Sequence, residues 1–321
     1  GVVFDRWFSS LMTSTWPNRY YSIAAQNGGG HGNDLPEKRD WPSIFDRVEA
    51  AGRTWTNYFG NIPFSILMPE LGLGHPGLLP MEEFFEDAAR GTLPNLVWLD
   101  PIYGRNDDHP PTHPVAGQVL VASIYEALAN SPQWDRCLFL ITYDEHGGFF
   151  DHVPPPEAPD AHADQGFGQL GFRVPSIAVG PWVRRGESYS EVCDHTSALA
   201  FIERLWGLEP MSERDAWAND LFDVLDAERM VADEPRAPIT LPVIEASDEE
   251  LYADECRYQF GMRSEDEEPN VDSACVTGQP ELEAVVDAQL QGTRFDRRAE
   301  TDALYEEQLA RAVAQGVLRR R

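Results

Sequence analysis

The chain has 321 residues, 42% of them hydrophobic, which suits one large α/β domain with insertions or two smaller domains and excludes a globally disordered chain. A formal net charge of -29 argues against DNA or RNA as the main partner, because such an acidic surface repels a polyanion. There is no apolar run of about eighteen residues to make a transmembrane helix, and Cys137, Cys193, Cys256 and Cys275 form no CxxC pair of the structural-zinc kind.

The sequence starts at Gly1-Val2-Val3 rather than at a Met, and no signal peptide is visible. Leu96 to Asp100 is a short apolar run ending in an acid and Pro101, which predicts a strand. Val115 to Ala129 predicts a helix, with Val119, Ile124 and Leu128 near helical spacing and Pro132 beyond its end. Cys137 to Tyr143 is continuously apolar, the pattern of a buried parallel strand, with Cys137 acting as a small core residue. Val174 to Val183 is a third strand candidate. Asp194-His195-Thr196-Ser197 then caps a helix with Leu199, Ile202, Leu205 and Trp206 on one face, and Gly207 stops it. Glu245 to Asp272 is crowded with acids and reads as a solvated excursion, which Cys256 and Cys275 could staple in an oxidising compartment. Thr301 to Arg321 predicts an amphipathic helix through Leu304, Leu309, Val313 and Val317, with Arg319-Arg320-Arg321 suited to its C-terminal dipole.

Strands alternating with helices predict a parallel sheet covered by helices, and ligands of such sheets gather beyond the carboxyl ends of the strands. Asp100, Asp144 and Glu145 fall at those ends. The densest chemistry is Thr142-Tyr143-Asp144-Glu145-His146-Gly147-Gly148-Phe149-Phe150-Asp151-His152, followed by three prolines. Adjacent strand residues point to opposite faces, so Asp144 and Glu145 can serve one ion only where the backbone turns, and Gly147-Gly148 supplies that freedom. Carboxylate with imidazole suits a divalent cation that polarises a phosphoryl oxygen or activates an attacking one. Such an ion also reverses the local field in an acidic protein. Taken singly, Asp144 could cap a loop and the histidines could pack under the prolines; five ionisable positions around Gly-Gly point to a site.

Two further segments carry weaker signals. Asn106-Asp107-Asp108-His109-Pro110-Pro111-Thr112-His113 is either an ordinary Asp- and Pro-rich turn or the seat of a His109 that protonates a leaving oxygen or binds phosphate. Ser14-Thr15-Trp16-Pro17-Asn18-Arg19 by spacing alone reads as a helix or turn start, though a hydroxyl there could attack phosphorus and Arg19 could bind phosphate oxygens.

Together these stretches resemble the bacterial phosphoesterase family that includes non-haemolytic phospholipase C and a group of acid phosphatases. TWPNR, WPSIFDRVEAAGRTWTNYFGNIP, GTLPNLVWLDP, NDDHPPTHPVAGQ, ITYDEHGGFFDHVPPP, GFRVPSIAVGPWV and DHTSALAFIERLWGL occur in family order over the first two-thirds of the chain. The resemblance implies an α/β fold of the alkaline-phosphatase type, a three-layer α/β/α sandwich, and hydrolysis of phosphate mono- or diesters at a divalent metal. It implies Asp144 and Glu145 as metal ligands, Thr15 as the nucleophile and His109 beside the phosphate. Asn18, Arg19, His146 and His152 are expected to bind substrate or support the loops. The family's early ENRSFDH motif, with further metal ligands, does not occur here. The expectation is an N-terminally truncated catalytic domain over residues 1–225, lacking its first strand and about half its metal ligands and therefore poorly active. Residues 226–321 are expected to be an acidic excursion and a helical segment packing on the same domain.

The leading expectation is a phospholipase C-like enzyme taking a phosphate ester such as a phospholipid headgroup. The alternatives are an acid phosphatase, a non-catalytic binding protein that keeps the fold, and a sulfatase-like or phosphonate-cleaving enzyme. Export to the periplasm or medium is expected from the resemblance alone.

Overall fold

The computed structural model describes residues 1–36, 39–109, 112–253, 280–289 and 297–321. Strand β1 (Val2–Phe4) leads to helices α1 (Thr15–Ala24) and α2 (Ile44–Ala50). Next come β2 (Trp55–Phe59), β3 (Leu78–Pro80), α3 (Met81–Arg90), β4 (Leu96–Asp100) and α4 (Val115–Ala129). Strands β5 (Phe139–Thr142), β6 (Ser176–Val179) and β7 (Glu187–Tyr189) precede α5 (Thr196–Trp206), α6 (Glu213–Trp217) and α7 (Ala227–Ala232). Then follow β8 (Ile244–Ala246), α8 (Asp248–Leu251), α9 (Pro280–Gln289), α10 (Arg297–Ala314) and β9 (Leu318–Arg320). The protein is thus mixed α/β, and no helix among the described residues is long and apolar enough to cross a membrane.

The chain forms two compact units, each discontinuous in sequence: Gly1–Trp55 with Trp134–Pro238, and Thr56–Gln133 with Ile239–Arg321. The first unit is built on a sheet of order β5-β6-β1-β7. Strand β1 runs antiparallel to β6, with Val2 opposite Ala178, and parallel to β7, with Val3 opposite Ser188. Val2, Phe4, Trp7, Val174, Ala178 and Cys193 make its core. Strand β5 corrects an expectation. It pairs antiparallel to β6, Phe139 opposite Val179, and lies at the end of the sheet with Phe139 to Ile141 only half-buried. A continuous apolar run encodes contact with apolar neighbours on both faces, not the direction of the adjacent strand, so the sequence could not choose.

Helix α5 covers the predicted span and ends at Gly207, whose φ of 67° is the left-handed cap. Its buried face is Thr196, Ser197, Leu199 and Glu203, whereas Leu205 is 49% exposed. The predicted apolar stripe through Leu205 is therefore rotated. Asp215 of α6, next to Glu203, is itself held in a capping box with Ser212.

In the second unit β2 pairs parallel to β3, Asn57 opposite Leu78, in a sheet of order β3-β2-β4. The predicted strand and helix at β4 and α4 are found at the predicted bounds. Helix α10 packs on α4 through Tyr305, Leu309 and Ala312, with Ile102, Val119 and Leu318 in the same core. The C-terminal prediction is corrected here. The helix stops at Ala314, Gly316 turns at φ 74°, and Leu318–Arg320 is a strand parallel to β8. Burial of Val317 and Leu318 draws the chain back onto the core, so the arginines pair with the first acids of the supposed excursion. Arg319 meets Glu245 at 2.7 Å, Arg320 meets Asp248 at 2.9 Å and Arg321 meets Glu250 at 3.4 Å. Glu245 to Ala253 is thus an ordered strand and helix start, while Cys256 and Cys275 lie outside the described residues. Cys137 and Cys193 are free thiols.

Candidate functional site

Helix α1 places Thr15 at its first position and Arg19 one turn later on the same face. The approach to Thr15 is held by Asn18. That amide is fully buried, accepts from Leu11 N at 2.8 Å and donates to the carbonyls of Leu11, Thr13 and Ser14 at 3.1–3.3 Å. Asn18 therefore supports the loop. Gly171 lets that loop come close: its N–H donates to Ser9 O at 2.8 Å, and a side chain there would run into Ser9 Oγ and Leu11 O.

Arg19 reaches the loop after β5. Its Nε donates to Asp144 Oδ2 at 2.9 Å across 125 residues of sequence, with both side chains partly shielded from water. The loop itself is braced from within. Glu145 Oε2 accepts from Gly147 N at 2.7 Å and His146 Nδ1 accepts from Gly148 N at 2.9 Å. Gly147 and Gly148 take φ of 63° and 75°, the left-handed freedom predicted for them. The His146 ring stands edge-on to Phe172. Asp151 binds Arg173 through two hydrogen bonds of 2.6 and 2.9 Å, and this guanidinium holds its carboxyl down at about 2. His152, beside it, is 85% exposed at the end of the braced loop.

Two residues at this site escaped the sequence reading. His195 is buried at the start of α5; its Nε2–H donates to the Asp144 carbonyl at 2.6 Å, and its Nδ1 faces Trp7 Nε1 at 3.5 Å. Burial holds its imidazole below the ordinary histidine value, so it is neutral at pH 7. Asp194 accepts from Ser10 Oγ at 2.9 Å and from Thr196 N at 3.0 Å. The buried Arg214 joins Asp194, at 3.4 Å, to Asp160, at 3.0 Å, and donates to Ser10 O at 3.0 Å. One buried ionic network therefore ties the loop ahead of Thr15 to the loop ahead of α5. The Asp194-His195 pair was visible as a helix cap; nothing in its spacing identified it with Asp144.

His109 belongs to the second unit. Its N–H approaches Asp107 Oδ1 at 3.4 Å and its carbonyl accepts from Thr112 N at 2.9 Å. Burial pushes the Asp107 carboxyl up. Asp100, expected near the site because it ends β4, is fully engaged by its own unit. It accepts from Asn57 Nδ2, Phe64 N and Tyr103 Oη at 3.0–3.1 Å.

A bound divalent ion needs several convergent donors. Among the described residues no three His, Cys, Asp or Glu side chains converge in that way. Asp144 instead pairs with Arg19, and Glu145 holds a loop amide. The donor set present does not by itself fit a divalent cation.

The phosphoesterase family profile matches residues 1–209. The chain belongs to the phosphoesterase family. It is 37% identical over 275 residues to non-specific phospholipase C6 of Arabidopsis thaliana, covering 76% of this chain and 52% of that protein. It is 30% identical over 265 residues to phospholipase C A of Mycobacterium tuberculosis, covering 68% and 51%. The family expected to be bacterial therefore extends to plants. The chain spans about half the length of these relatives. Among solved structures, the lipoteichoic acid synthase LtaP from Listeria monocytogenes aligns with a TM-score of 0.45 and 13% identity over 68% of this chain and 66% of that one, too slight a likeness to carry an argument.

Proposed function

We propose that the protein hydrolyses phosphoric esters in the manner of a phospholipase C, with Thr15 as the nucleophile. The observation that carries this reading is the Arg19–Asp144 bond, made by a side chain one helical turn from Thr15, in a chain of this family. Thr15 stands at the first position of α1, the positive end of the helix dipole, which favours an anion although Trp16 N–H is already taken by Asn33 Oδ1. A phosphoryl group seated there meets the Thr15 hydroxyl and the Arg19 guanidinium together. The Thr15 oxygen forms a bond to phosphorus as the bond to the alcohol oxygen breaks, and the hydroxyl proton leaves with the alcohol. Water then cleaves the phosphothreonine, releasing a phosphomonoester such as phosphocholine and restoring the hydroxyl.

Asp144 sets the Arg19 fork and His195 holds the Asp144 backbone, so Asp144 here is a positioning group. His109, which the family resemblance sets beside the phosphate, lies in the second unit and carries no step here. The three-layer alkaline-phosphatase-like arrangement belongs to the same reading. A divalent ion belongs to it only with donors beyond those described, and no step here runs through one.

The test is product analysis in the protein carrying this chain, with phosphatidylcholine vesicles and a soluble phosphocholine ester. The diesterase reading expects phosphocholine, and Thr15→Ala is expected to lower kcat by at least about 10³-fold. Full activity in Thr15→Ala removes the nucleophile assignment. Release of inorganic phosphate from monoesters alone turns the reading to an acid phosphatase. A second reading, a non-catalytic phosphate-binding protein, is favoured by the lack of a three-donor metal set among the described residues. It expects phosphate binding by calorimetry without turnover.

A further inference from the structure

The N-terminus of α1 is capped in an unusual way. Ser14 has the right side chain and an extended backbone for an N-cap, φ -74° and ψ -175°, yet its hydroxyl caps nothing. An N-cap side chain ordinarily takes the N–H of the second or third helical residue. The third residue of α1 is Pro17, which has no N–H, so Trp16 N–H is the single donor that Ser14 could take. That donor goes instead to Asn33 Oδ1 at 2.9 Å, from a glycine-rich segment 17 residues downstream. The same segment makes a second link: Thr13 Oγ1 donates to His31 O at 2.5 Å. The two bonds bracket Thr15 on both sides. The segment is seated in turn by the His31 ring against Phe167 at 4.6 Å, and Phe167 O accepts from the buried Arg214 at 2.6 Å.

We propose that His31–Asn33 is a strap that fixes the nucleophile, with Asn33 the positioning residue that caps the Thr15 helix in place of Ser14. This deepens the reading of Thr15 as nucleophile and rests on it. A local Ser14 cap would lock the turn to its own backbone angles. The distant cap lets the strap set where Thr15 stands, and joins the nucleophile to the Phe167 and Arg214 scaffold.

The cap is read directly by amide exchange in the full 321-residue chain labelled with 15N-tryptophan, which reports Trp16 N–H. Asn33→Ala is expected to speed Trp16 exchange about five-fold or more. Asn33→Asp, which keeps the acceptor oxygen, is expected to restore it, and Ser14→Ala to leave it unchanged. Unchanged exchange in Asn33→Ala, or faster exchange in Ser14→Ala alone, overturns the strap. Positioning is read in two ways. A crystal structure of Asn33→Ala is expected to place Thr15 Oγ1 away from its present position, and an unmoved Thr15 overturns the positioning role. In the protein carrying this chain, kcat is expected to fall about ten-fold in Asn33→Ala with KM little changed, and to recover in Asn33→Asp. A wild type without turnover counts against the proposed function, while exchange and the Thr15 position still decide the strap.

Discussion

Asp144 illustrates how a residue's type can be legible in the sequence and its bonding partners not. Its carboxylate accepts from Arg19 Nε, and its backbone carbonyl accepts from the buried His195. Both bonds fix the Asp144 segment, one of them to Arg19 on the helix that Thr15 begins, and a carboxylate–guanidinium bond is directional where a carboxylate–ammonium contact is not. Arg19→Lys keeps the charge but cannot hold Asp144 and face a phosphoryl oxygen at once. We expect kcat to fall about 10²-fold with the fold intact, as read by steady-state kinetics beside a urea unfolding curve. Activity within two-fold of wild type would falsify the placement of Arg19 at the phosphoryl group.

At the scale of elements, α5 and α6 bury a pair of acids. Glu203 is 3% exposed and faces Asp215, and burial pushes its carboxyl up to about 9, with the Asp215 charge adding to the effect. The folded state therefore keeps a proton that the unfolded chain releases near its ordinary value of 4.5. The resulting stability is fully present below that value and is lost as pH rises toward about 9. Urea midpoints are expected to fall between pH 5 and 9, and Glu203→Gln to flatten part of that slope and exceed wild type at pH 8. Parallel profiles for the two proteins would show that Glu203 does not titrate as described. The buried Asp160–Arg214–Asp194 network works differently, since its charges compensate one another and its value lies in tying the loops around α1.

For the whole molecule the dominant quantity is charge. A net charge of -29 opposes approach to an anionic surface whatever the chemistry at Thr15. Turnover on phosphatidylcholine vesicles is expected to exceed that on vesicles containing anionic lipid at low salt, and the gap to narrow by 0.3 M NaCl as screening shortens the range of the field. A gap independent of salt would assign the preference to recognition of the lipid headgroup rather than to net charge.

The sequence by itself determined the family, the strand at Leu96–Asp100, the helix at Val115–Ala129 and the Gly147-Gly148 turn, because each is encoded by local periodicity or backbone freedom. It also marked Thr15 and Arg19 as residue types able to handle phosphate and Asp144 as one able to bind a cation. Only the tertiary structure decided that β5 runs antiparallel to β6, that the terminal arginines form a strand, and that Leu205 faces solvent while Glu203 is buried. It alone joined Arg19 to Asp144, Asp144 to His195, and Asn33 to the helix of Thr15. Those partners are set by which chain segments pack together. No spacing along the sequence encodes a hydrogen bond between residues that only the fold makes neighbours.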